Sequence, residues 1–401
     1  MVRMLTLALA LALLAAAPAA AVDDCPDTAP ARSLLDGQGT LESVIGGPDG
    51  KLYYTDGDKQ SLMRLDAPGA EPAPLATDIV SPGGLLVGTD GTSLVQGYGD
   101  GVQQGAAGNL IGMAGLLRID LATGKQTTIA TGTSMSNGLA RDPAGVIYAS
   151  DDAGTGIDRV VGDKVQQRWA RVVSGNGLAV SGNGHYLFVN QTFQPAAIQR
   201  VDITNPSVVE QYAAPGPADV AAGLDGLTID QDDRLFAAAN QSGEIWRVGV
   251  DGSICALARG LNRPSAVAFG SGGAFPATSL YAVTFGGDVL EIPGVRATPP
   301  AGASASARLR LRVRPRFLRA RKRSRVRVTV RRGRVLEPNA YVRVGRKATH
   351  TGPRGRARVS IRPRHRGFIT IRARAAGVPP VKLKLRVLRA RRGPHPEALI
   401  G

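Results

Sequence analysis

The sequence predicts an all-β protein, a six-bladed β-propeller followed by a small β-sandwich, and three observations carry that prediction. A unit of one polar residue, Gly, two apolar residues, a tight turn and an alternating strand recurs most cleanly from Asn137, Asn176 and Asp225, with weaker copies from Glu42, Gly83 and Ser265. The spacings of 41, 54, 39, 49 and 40 residues suit a four-stranded propeller blade, and the period-two alternation inside each unit excludes a helical repeat. Gly and Pro together make 77 of 401 residues without a Gly-X-Y period, which excludes collagen and favours a turn-rich β protein. Charge, finally, divides the chain: residues 1–306 hold 18 Lys and Arg against 30 acidic residues, residues 307–401 hold 31 against 2, for net charges of −12 and +29.

The elements follow in order. Residues 1–21 read as a signal peptide, with Arg3, a short apolar run from Leu5 to Ala17 and Ala19-Ala20-Ala21 before the cleavage point. The apolar run is too short for a membrane span, so a secreted chain is expected. In an oxidising compartment the simplest use of the two cysteines is a Cys25–Cys255 disulfide; two buried free thiols are the alternative. The propeller is expected over 22–297. Asp142-Pro143-Ala144-Gly145 and Gly182-Asn183-Gly184 read as hairpin turns, and a strand at Ser33-Leu34-Leu35 is expected to complete the sixth blade and close the ring. A Pro/Gly/Ser linker (298–306) leads to an Arg-rich β-sandwich (307–392) and a short tail (393–401).

In a propeller the innermost strands line a central channel, so equivalent positions of successive repeats converge. Glu42, Asn137, Asn176, Asp225 and Ser265 would bring two carboxylates, two amide oxygens and a hydroxyl to one space. Like-charged carboxylates tolerate such proximity when a proton or cation lies between them. An all-oxygen set of charge −2 suits a hard divalent ion, Ca²⁺ or Mg²⁺. The competing explanation is that the Asn-Gly and Asp-Gly pairs are ordinary strand-entry turns.

Taken in order, Glu42-Ser43-Val44, Ser136-Asn137-Gly138-Leu139-Ala140, Gly175-Asn176-Gly177-Leu178-Ala179-Val180 and Leu224-Asp225-Gly226-Leu227 resemble the family of senescence marker protein (regucalcin), gluconolactonase and luciferin-regenerating enzyme, over residues 40–293. The resemblance implies that Glu42, Asn176 and Asp225 hold a divalent metal, Ca²⁺ before others, and that Asn137 contacts ligand or water. It further implies hydrolysis of a lactone, with the metal polarising the carbonyl and Asp225 as general base. Asp151, Asn190 and Asn240, with Asp56 and Gln191, are strand-end candidates for contacts to substrate. Two departures stand out: Ser43-Val44-Ile45 replaces the usual Pro-Trp after the first-blade Glu, and Met135 stands where sugar-acid-selective members carry Arg. A non-catalytic binding propeller with a structural cation is the alternative function.

Other chemistries find little support. The propeller's only histidine, His185, follows a hairpin turn away from the channel mouth, no Gly-x-Ser-x-Gly elbow occurs, and two cysteines cannot make a four-cysteine zinc site. Beyond residue 307, Arg alternates with apolar residues, as in Leu309-Arg310-Leu311-Arg312-Val313 and Arg325-Val326-Arg327-Val328, and about six such strands resemble bacterial immunoglobulin-like modules. Such a surface attracts polyanions, and an exported monomer would meet an anionic envelope polymer or membrane surface first. Nucleic acid fits less well, because Phe317, Tyr341 and Phe368 are the only aromatics available for stacking.

Overall fold

The structure, a computed structural model, describes residues 21–26, 28–99, 114–193, 195–296, 309–332, 335–336, 340–352, 355–375 and 378–389. The expected signal peptide, linker and tail lie outside these residues, save Ala21. Among the described residues no helix is long and apolar enough to cross a membrane.

Six four-stranded antiparallel sheets form the propeller. Their inner strands are Leu41–Gly46, Pro82–Val87, Leu139–Arg141, Gly175–Val180, Leu224–Ile229 and Pro264–Phe269, so every repeat start in the sequence falls at or beside an inner strand. Alternation explains the layering. In the second strand of each blade nearly every side chain is buried, as in Leu52–Asp56, Leu235–Ala239 and Leu280–Thr284, because both faces pack against neighbouring blades. The expected hairpin turns form: Asp142 N–H donates to the Val146 carbonyl and Ser181 N–H to the Tyr186 carbonyl.

Ring closure also follows the expectation. The strand Arg32–Leu35 pairs with Val289–Ile292 as the outer strand of blade 6, so the first and last segments of the propeller share one sheet. Before it, the chain runs along the outer strand of blade 5, where Cys25 N–H donates to the Ala256 carbonyl (2.8 Å) and Ala256 N–H to the Asp23 carbonyl (2.7 Å). Cys25 and Cys255 are joined by a disulfide across 230 residues of sequence. A cross-link that closes so long a loop restricts the unfolded chain strongly. Replacing both cysteines by serine is therefore expected to lower stability by about 2–5 kcal/mol, measured by denaturant unfolding; an unchanged midpoint would show that the backbone pairing alone holds the N-terminal segment.

The C-terminal domain consists of two sheets around one apolar core that includes Val326, Val328, Val330, Val342, Val359, Ile371 and Leu385. One sheet holds Leu309–Arg314, Ser324–Arg332, Val335–Leu336 and Arg356–Ile361; the other holds Phe317–Arg319, Tyr341–Val344, Lys347–His350, Gly367–Ala375 and Val378–Leu388. Among the described residues nine strands stand where about six were expected. Short pairs such as Tyr341–Val344 with Lys347–His350 are too brief to stand out as alternation in the sequence.

Candidate metal centre and active site

The inner strands enclose an axial cavity of about 430 Å³, lined by Glu42, Asn137, Asn176 and Asp225 toward the strand starts and by residues such as Val87, Arg141, Ile229 and Phe269 toward the strand ends. Asn137, Asn176 and Asp225 are each at least nine-tenths buried. Arg296 also lines the cavity, its guanidinium 3.8 Å from the centre of the Phe269 ring.

The glycine that follows Asn137, Asn176 and Asp225 has a packing cause. Asn176-Gly177 and Asp225-Gly226 lie inside inner strands, at bulges between Gly175 and Leu178 and between Leu224 and Leu227, so they are not strand-entry turns. A β-carbon at Gly226 would stand 2.7 Å from Ala266 Cα and from the Ser265 carbonyl oxygen of blade 6, and one at Gly84 would stand 2.6 Å from the Asn137 carbonyl oxygen of blade 3. Gly138 and Gly177 likewise abut the backbone of Asn176 and of Asp225. Neighbouring inner strands thus meet backbone to backbone, and only glycine fits. Gly226→Ala is expected to cost about 1–3 kcal/mol and to displace Asp225, read as a lower urea midpoint together with weaker calcium binding. Wild-type values for both would show that blades 5 and 6 can separate without cost.

Electrostatics single out the carboxylates. Burial pushes the Glu42 carboxyl well above the ordinary range, the charges of Asp225 and Asp152 push it further, and a hydrogen bond from the Asn137 amide (Nδ2 to Oε1, 3.4 Å) opposes them. The structure adds a residue that the sequence reading missed. Asp152, rather than its neighbour Asp151, bears on Glu42, and its own carboxyl is pushed up to about 6 by burial and by the Asp151 charge. Its Oδ1 is buried and accepts no hydrogen bond. Two adjacent acids at a strand end signalled a site here, but alternation alone could not say which of them faces Glu42.

Several expected contacts are placed differently. Asn190 is fully buried and donates its amide to the backbone carbonyls of Asp225 (2.7 Å) and Gly226 (3.2 Å), bracing blade 5 from blade 4 instead of facing substrate. Asn240, also buried, donates to Asp225 Oδ2 (3.3 Å) and to the Pro264 carbonyl (3.2 Å), so it positions the Asp225 carboxylate. Asp151 is 3% exposed and lies under the turn at Gly154, not on an open rim. Asp56 accepts the Lys59 N–H and pairs with its ammonium at 2.8 Å, a turn role, while Gln191 bonds to the Val173 carbonyl and to Gln199. The Ser265 hydroxyl, fully buried, is 2.6 Å from the Leu41 carbonyl oxygen and sews blade 6 to blade 1. Acceptors on the neighbouring blade account for the placement of Asn190 and Asn240, because a buried amide turns toward the carbonyl and carboxylate oxygens that satisfy it. Met135 is buried, and His185 sits in its hairpin turn, bonded through its N–H to Asn183.

The donor set fits a hard divalent cation. Among the described residues no three His, Cys, Asp or Glu side chains converge as a metal site. Glu42 and Asp225 supply two carboxylates within electrostatic reach of each other, and Asn176 is the neutral oxygen donor beside them in the cavity lining. A buried carboxylate forced toward protonation by a second one is the state that a bound cation relieves.

Comparison with known proteins bears on the family and the fold. The family profile described as SMP-30/Gluconolactonase/LRE-like region matches residues 42–281. No curated protein is significantly similar in sequence. Among solved structures, the chain is similar to a gluconolactonase of Xanthomonas campestris (17% identity, 70% of this chain and 99% of the other, TM-score 0.53). It is also similar to regucalcin, a calcium-binding protein, of Agrobacterium tumefaciens (18% identity, 68% and 95%, TM-score 0.53). At these identities the two structures establish the shared propeller fold.

Proposed function

Because the chain belongs to the SMP-30/gluconolactonase/LRE-like family, we propose that it is a divalent-metal-dependent lactonase, exported, with Ca²⁺ as the metal and its basic C-terminal domain in contact with an anionic polymer of the cell envelope. The observation that carries the reading is the pairing of Glu42 with Asp225 at one end of the axial cavity, where burial first and the Asp225 charge second push the Glu42 carboxyl well above its ordinary range. Glu42, Asn176 and Asp225 would hold the cation, which when bound supplies Lewis-acid polarisation of a carbonyl.

The protein's own residues do the rest. Asp225 removes a proton from water as the new C–O bond forms at the lactone carbonyl carbon. When the ring C–O bond breaks, that proton goes to the departing alkoxide, and the product is a hydroxy acid. Asn240 keeps the Asp225 carboxylate from rotating, Asn190 fixes the backbone beneath it, and Asn137 holds Glu42. Met135, in place of an arginine, leaves no guanidinium there to select a sugar acid, so the lactone class is set by other contacts.

The test is proton release by the mature protein against sugar, aliphatic and aromatic lactones, with and without a chelator. Turnover that stops on chelation and returns with Ca²⁺ supports the reading. Silence across the panel, with calcium still raising the melting temperature, would instead make this a binding propeller with a structural ion.

A further inference from the structure

The sheet formed by Leu309–Arg314, Ser324–Arg332 and Arg356–Ile361 turns its apolar residues into the core and its arginines outward. Register then sets like charges face to face. Arg314 lies opposite Arg327, which lies opposite Arg358, so one row of guanidinium groups crosses all three strands; Arg310 lies opposite Arg331, and Arg312 and Arg356 flank Thr329. Directly opposed like charges destabilise a sheet. Among the described residues none of Arg314, Arg327 and Arg358 meets a carboxylate, and the whole stretch 307–401 contains only Glu337 and Glu397 as acids. A fold that tolerates this repulsion gains most from a multivalent anion laid across the rows. Arginines stand about 7 Å apart along each strand and about 5 Å apart between strands, so an extended chain of anionic groups reaches several at once.

We propose that this arginine face binds a linear phosphate polymer of the cell envelope. The proposal rests on the reading that the C-terminal domain contacts an anionic polymer, and it is independent of the reaction in the channel. Three features select the partner. Arginine's planar fork pairs bidentately with phosphate oxygens. The rows through Arg312, Arg314 and Arg325 carry only Arg, Ser and Thr, so no aromatic ring is present there to stack a base, which argues against nucleic acid. No exposed apolar side chain projects from them, so nothing anchors the face in a lipid interface. The opposite sheet is basic as well, with Arg343, Arg372 and Lys382 in one row, but it mixes in lysines and the exposed Phe368.

The test uses the mature protein and inorganic polyphosphate as probe, across a salt series, with vesicles of equal phosphatidylglycerol and phosphatidylcholine in parallel. Replacing Arg312, Arg314, Arg327 and Arg358 by Gln is expected to weaken polyphosphate binding by about tenfold or more and to make the log K against log salt plot shallower by about three. Replacing Arg343, Arg372, Lys382 and Lys384 by Gln removes the same charge and is expected to change affinity by less than about threefold. The first variant relieves repulsion, so it should melt no lower than wild type. Should it nevertheless fold poorly, the double replacement Arg312→Gln/Arg358→Gln is expected to give about half the change in slope. Equal losses from the two faces, or vesicles bound more tightly than polyphosphate, would overturn the proposal. Lactone turnover measured on the same samples separates this failure from failure of the lactonase reading.

Discussion

Asp225→Asn is expected to reduce lactone hydrolysis by about 10²–10⁴-fold, the usual contribution of a positioned general base, while leaving the propeller folded. The substitution keeps the size of the side chain, and the amide oxygen can still accept from Asn240, so the local hydrogen bond at 3.3 Å survives. What disappears is the negative charge. That loss acts twice, by removing the proton acceptor and by removing one of the two carboxylates that would hold the cation. The two effects separate by raising calcium: saturation restores metal occupancy but not the base, so activity should stay low at the highest concentration. Recovery of full activity at high calcium would show that Asp225 serves only as a ligand and that the base lies elsewhere, with Asp152, which acts on Glu42, a candidate. Melting curves in chelator check that the variant is folded.

Glu42→Gln is expected to do the opposite to the metal-free protein and to weaken the loaded one. Burial and the charges of Asp225 and Asp152 raise the Glu42 carboxyl in the folded state above its value in the unfolded chain. The unfolded chain therefore loses this proton first as pH rises, and folding stability is lost across the window from about pH 4.3, the unfolded value, upward through the raised folded value. A glutamine has no proton to lose. In chelator the variant should melt above wild type at pH 8, with the gap closing toward pH 4. With calcium present the order reverses, because wild type gains binding energy that the variant lacks, and metal affinity should fall by more than about 100-fold. Calorimetric melting at several pH values, with and without calcium, reads both signs. A variant that melts below wild type at pH 8 in chelator would mean that the Glu42 charge is compensated by the protein alone.

The fold was legible because its signal is repeated. Three clear copies of the repeat and three weaker ones place six inner strands, and the lone strand Arg32–Leu35 could be paired with blade 6 because that blade lacked one. The axial residues Glu42, Asn137, Asn176 and Asp225 were legible for the same reason. Rim residues were not. Asn190 and Asn240 read as polar residues at strand ends, yet both are drawn inward by backbone carbonyls on the next blade and, for Asn240, by the Asp225 carboxylate. Whether a strand-end side chain points to solvent, to the axis or to the neighbouring blade depends on the acceptors that the next blade presents, and no pattern within the strand itself records them. The glycines were seen, with a strand-entry turn as the competing explanation for them. They permit contact between backbones rather than a turn, a cause that exists only once two blades are adjacent. In the sandwich, alternation predicted an arginine surface, but only the register of three strands shows those arginines to be directly opposed.

The account stands on a cation held by Glu42, Asn176 and Asp225, and counting that ion is the most direct measurement. Equilibrium dialysis of metal-stripped protein against calcium, with metal determined by mass spectrometry, should give one ion per chain for wild type and none for the Glu42→Gln/Asp225→Asn variant at the same free concentration. A wild-type chain that takes up no ion, or a double variant that keeps it, would contradict the account.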